Sequence, residues 1–156
     1  MPGKKAAKKT KRPRSAAKKS KSAVKRNAKR TSPLAATSAA FAPVFSALKD
    51  VMAAYANELH VVSDEPRKYY VVTKALSWKG GPMFFGAVIW GKAYVSYHLM
   101  PLYLFPELAG NVSPELKCRM QGKTCFNFRQ PEEALTSELN DLTKAGLEHY
   151  RAKNLL

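Results

Sequence analysis

The chain has 156 residues, with 27 Lys and Arg against 11 Asp and Glu and a formal net charge of +16, which bounds it at one domain or one domain with an appendage. The charge is concentrated: residues 1–31 hold ten Lys and four Arg without a carboxylate, a charge of +14, and 27 − 14 = 13 basic against 11 acidic residues leaves +2 for the rest. Cys118 and Cys125 stand seven apart with neither CxxC spacing nor a paired His motif, which excludes a zinc or dithiol signature and reads as two buried thiols in a reducing compartment.

The basic stretch carries Lys4, Lys5, Lys8, Lys9, Lys11, Arg12, Arg14, Lys18, Lys19, Lys21, Lys25, Arg26, Lys29 and Arg30, and its one sizeable internal apolar residue is Val24. Such a segment cannot bury a core, so disorder is expected until a polyanion neutralises it. Its Lys/Ala/Pro composition resembles the tails of linker histones and bacterial histone-like proteins, which implies nucleic acid as partner. A continuous apolar h-region is absent, and the segment is Lys-rich where transit peptides are Arg-rich and amphipathic, so no membrane partner is expected. The expected location is cytoplasmic, with the nucleoid as one site of action. Lys8 to Arg14 resembles a nuclear import signal, relevant in a eukaryotic host.

Ser32 to Ala42 reads as a linker of small residues, which puts tail and linker at 1–42 and the folded domain at 43–156. Pro43 suits the first turn of a helix, and Val44, Leu48, Val51, Tyr55 and Leu59 follow as one apolar stripe. Leu59 to Ser63 and Tyr69 to Lys74 read as strands around a turn at Asp64 to Arg67. Met83 to Met100 reads as the central hairpin, with Gly91-Lys92 as a type II′ turn. That turn pairs Trp90 with Ala93, Val88 with Val95, Gly86 with Tyr97 and Phe84 with Leu99, the Tyr97 ring lying across Gly86. The other face is mixed, setting Met83, Phe85, Ala87 and Ile89 against Met100, His98, Ser96 and Tyr94. Pro101 and Pro106 bound an irregular segment whose Leu102, Tyr103 and Phe105 are expected to close one end of the core.

Ser113-Pro114-Glu115 has the cap, first-position proline and acidic first turn of a short helix, which Gly122 is expected to end. Thr124 to Phe128 alternates as a last strand, with Phe126 and Phe128 to one side and Cys125 and Asn127 to the other. A final helix begins near Glu132 and carries Leu135, Leu139, Leu142, Gly146 and Tyr150 on one stripe. The order predicts an α+β fold, an antiparallel sheet of about five strands with the N- and C-terminal helices on one face.

Ala93 to Tyr103 (AYVSYHLMPLY), Arg119 to Phe128 (RMQGKTCFNF) and an acidic-start helix ending in EHY together resemble the YdhG-like domain family of unknown function, over roughly residues 43–153. The resemblance implies a frataxin-like α-β-α architecture and, for one branch of the family, iron delivery. Iron binding of that type relies on an acidic ridge around the first helix, where this chain offers only Asp50 and Glu58.

No catalytic constellation names a reaction, and no cofactor motif is present. Gly122-Lys123-Thr124 ends like a phosphate-binding loop, but Lys117 stands where its first glycine belongs and a strand follows. Arg119, Gln121, Gly122 and Lys123 form a cationic, glycine-bearing junction suited to an anion. Tyr94, His98 and Met100 extend it into a candidate surface for a protein partner or small ligand. Three readings follow: a nucleic-acid-associated binding protein, a metal or iron-handling chaperone, and a ligand-binding module or enzyme with a site near His98 and Arg119.

Overall fold

The computed structural model describes residues 33–76 and 80–156, with the side chains of residues 33–39 outside the description. Helix α1 runs Pro33–Ala53, strands β1 and β2 Leu59–Glu65 and Lys68–Leu76, and strands β3 and β4 Pro82–Trp90 and Val95–Leu99. The helical turn α2 (Pro101–Leu104), a 3-10 turn (Pro106–Asn111) and α3 (Pro114–Lys117) lead to β5 (Met120–Gln121), β6 (Cys125–Phe128) and α4 (Glu133–Ala152). The strands form one antiparallel sheet in the order β1-β2-β3-β4-β6-β5.

The stretch 32–42, expected as a linker, is helical from Pro33 onward, and Pro43 lies inside α1 instead of opening it. Alanine is the strongest helix former, and Pro33 occupies the position where a missing N–H costs nothing. Phe41 from this extension is buried and meets the Trp90 ring edge-on at 6.5 Å. Val44, Leu48 and Met52 continue the buried face. On α4, Leu139, Leu142, Gly146 and Tyr150 are buried along the expected stripe.

Both long helices pack on the sheet face that presents Tyr69, Val88, Tyr97 and Phe126 in one row and Val71, Gly86 and Leu99 in the next. The central hairpin turns one residue later than its glycine indicates. Trp90 pairs with Val95, Val88 with Tyr97 and Gly86 with Leu99, and the Gly91 N–H donates to the Tyr94 carbonyl at 2.9 Å. A shift of two in the partner preserves which face each side chain takes, because strand side chains alternate with period 2. Tyr97 therefore does not cover Gly86; Met52 of α1 does, its methyl 2.5 Å from where a Gly86 Cβ would stand.

Phe85 also departs from the expected mixed face. Val71 pairs with Gly86 and Val72 with Phe84, so β3 bulges at Phe85, and its ring turns into the core, edge-on to Tyr150 at 5.2 Å. A bulge inserts one residue and so re-aims a side chain. At the end of the core, Leu102 and Phe105 are buried as expected, whereas Tyr103 is 59% exposed because the α2 turn points it outward. The sheet has six strands where about five were expected, since a two-residue β5 adds itself to β6. Among the described residues no helix is long and apolar enough to cross a membrane.

Candidate functional site

β4 reads VSYHL and β6 reads CFNF, so alternation sends Val95, Tyr97, Leu99, Phe126 and Phe128 to the core and Ser96, His98, Cys125 and Asn127 to the opposite face. The Leu99 N–H donates to the Thr124 carbonyl at 2.9 Å. That bond makes His98–Cys125 and Ser96–Asn127 the non-hydrogen-bonded pairs of the ladder, where facing side chains approach most closely. Both pairs are in contact. The Ser96 hydroxyl donates to Asn127 Oδ1 at 2.8 Å, and Cys125 Sγ lies 2.8 Å from His98 Nδ1. Asn127 Nδ2 in turn donates to Gln121 Oε1 at 2.9 Å, carrying the polar row to β5. Burial of the half-buried His98 ring pushes its pKa down, so the imidazole is held neutral.

Beside this row lies a cleft of about 360 Å³ lined by Tyr94, Cys118, Arg119, Met120, Gln121, Asn127 and Arg129. Arg119 is anchored by Glu132, Nη2 to Oε2 at 2.8 Å. Arg129 is exposed at the rim, and among the described residues no ion pair engages its guanidinium. Farther across the same face, the Tyr70 and Phe84 rings stack at 4.9 Å between centroids, and Lys68 Nζ sits 5.6 Å from the Tyr70 ring.

Of the expected surface, Tyr94, Arg119 and Gln121 come together in the cleft, and His98 joins them through the neighbouring polar row. Met100 does not: it precedes α2, and its N–H donates to the Phe85 carbonyl. Lys123 turns away as well, its ammonium 5.7 Å from the exposed Tyr103 ring. Gly122 does not end the short helix, which stops at Cys118; it adopts φ +75° in the β5–β6 turn, the left-handed conformation glycine takes without strain. The fourteen Lys and Arg of residues 1–31 all lie outside the described residues.

Cys125, read from sequence as a buried apolar thiol, is half-buried on the polar face, and Asn127 and Arg129 belong to the site as well. Alternation alone had separated Cys125 and Asn127 from the two phenylalanines. What it could not supply was the strand that would face them. Among the described residues no group of three or more His, Cys, Asp or Glu side chains is placed to hold a metal ion.

Compared with known proteins, the chain matches no family model, no curated protein and no solved structure.

Proposed function

We propose that the chain is a YdhG-like domain protein that associates with nucleic acid through residues 1–31, the folded domain adding a second contact at the sheet face opposite α1 and α4. The observation that carries this reading is fourteen cations without a carboxylate in thirty-one residues. Such a segment displaces condensed counterions from a phosphate backbone, and that displacement drives sequence-indifferent association. The domain supports it with chemistry suited to unpaired bases: the Tyr70–Phe84 stack beside Lys68, and a cleft with Tyr94, Arg119 and Arg129. Aromatic faces combined with cations bind single strands without reading sequence. Two helices on one face of an antiparallel sheet support the frataxin-like architecture, but the described residues offer the iron-handling alternative no cluster of ligands. The site of action would be the nucleoid, or chromatin in a eukaryotic host.

Fluorescence anisotropy tests the proposal, with full-length protein and a form beginning at Ser32 titrated onto unrelated duplex and single-stranded DNA at low salt. The full chain binds all of them with similar affinity; the shortened form loses duplex binding and retains a weak preference for single strands. Equal duplex affinity of the two forms overturns the assignment to residues 1–31.

A further inference from the structure

The polar face holds one group that nucleic-acid association does not use. Cys125 Sγ has two polar neighbours, His98 Nδ1 at 2.8 Å from the facing strand and Thr124 Oγ1 at 3.6 Å from its own. A thiol is a poor nucleophile until it loses its proton, and an adjacent imidazole is the side chain best suited to take it. The ring is fixed in place by the ladder, since His98 and Cys125 are cross-strand partners flanked by the Tyr97–Phe126 pair. With its proton on Nε2 the imidazole accepts through Nδ1, and the Thr124 hydroxyl, 3.6 Å from the sulfur, can donate to the thiolate as it forms. A half-buried thiol on the sheet face opposite the long helices fits a small oxidant.

We propose that Cys125 is an oxidative modification site, a thiol activated by His98 that reacts with hydroperoxides to give a sulfenic acid. The thiol proton passes to His98 Nδ1, and the sulfur attacks the terminal oxygen of ROOH. The O–O bond breaks, and the departing RO⁻ takes the proton from the imidazolium, leaving Cys125–SOH and ROH. Sulfur is oxidised by two electrons and the peroxide reduced by two. A small thiol then restores the cysteine by way of a mixed disulfide, with loss of water.

Cys118 supplies an internal control, because it is the more exposed of the two cysteines and among the described residues no hydrogen bond engages its thiol. Full-length protein is treated with iodoacetamide, and separately with hydrogen peroxide in the presence of dimedone, and both cysteines are quantified by peptide mass spectrometry. Cys125 alkylates roughly tenfold or more faster than Cys118 despite its lower exposure, a threshold set below the roughly hundredfold that a positioned base contributes at its low end, and it carries the dimedone adduct. His98→Gln lowers the Cys125 rate to about that of Cys118 without changing Cys118. A Cys125 rate no higher than that of Cys118 in the wild-type protein overturns the proposal without recourse to any variant. So does a fast Cys125 that His98→Gln leaves unchanged in a folded protein, or a fast Cys125 that forms no dimedone adduct.

Discussion

The hydroxyl of Tyr97 lies 2.6 Å from Thr143 Oγ1 in the middle of an otherwise apolar core, and Thr143 Oγ1 is 2.6 Å from the Leu139 carbonyl it donates to. With the threonine proton committed to Leu139, Tyr97 is the donor to Thr143. This short chain ties β4 to α4 and fixes which ring sits at the centre of the sheet. Tyr97→Phe keeps the ring and removes one bond, at a cost of about 1 kcal/mol. Tyr97→Ala also opens a cavity and costs roughly 3–5 kcal/mol. Urea unfolding measures both, and a loss below about 0.5 kcal/mol for the alanine variant, typical of a surface site, would contradict the burial.

The same tyrosine predicts how stability responds to alkali. Burial pushes the phenols of Tyr97 and Tyr150 well above their ordinary value of 10.0. In the unfolded chain both lose protons near that value while the folded chain keeps them, so the unfolded state binds fewer protons and stability falls as pH rises. The stability is intact below about pH 10 and decreases above it, by up to about 1.4 kcal/mol per pH unit for each phenol. Denaturation curves between pH 9 and 11 should show a shallower decline for Tyr97→Phe than for the wild type, by about one phenol's share. Identical slopes would remove Tyr97 from the linkage.

Gly86 is required by close approach and not by its backbone angles. A Cβ there would stand 2.5 Å from Met52 Cε and 2.8 Å from the His98 carbonyl oxygen. The methionine end can swing aside, but the carbonyl belongs to the β4 backbone and cannot. Gly86→Ala should cost roughly 1–3 kcal/mol, the usual penalty of overpacking, and adding Met52→Ala should not restore the loss. Recovery of wild-type stability in the double variant would show that Met52 alone sets the constraint.

The elements governed by local chemistry were legible in the sequence. Ser113 caps α3 as its motif implies, its Oγ accepting from the Leu116 N–H at 3.1 Å, and the 3.6-residue period of Leu139, Leu142, Gly146 and Tyr150 gave the buried face of α4. The extension of α1 was misread because small residues suit a linker by composition and a helix by propensity, and the burial of Phe41 that favours the helix is a tertiary contact. Gly91 marked the hairpin but not its centre, and a displacement of one residue in the turn moved every pair by two. The His98–Cys125 pair was out of reach for a different reason. The two residues are 27 apart, and only the pairing of β4 with β6, which follows from neither strand alone, places them together.

The central claim is that nucleic-acid affinity is electrostatic and resides in residues 1–31, and the salt dependence of DNA binding tests it most directly. The cut at Ser32 leaves every described helix and strand in place, α1 from Pro33 onward included. Each phosphate neutralised on duplex DNA contributes about −0.9 to the slope of log affinity against log salt, so engagement of half the fourteen cations gives a slope near −6 for the full chain. The form beginning at Ser32, with a net charge of only +2, should bind weakly and show a slope of small magnitude. If it instead keeps the affinity and slope of the full chain, the claim fails and the interface lies on the folded domain, with Arg119 and Arg129 the first side chains to replace.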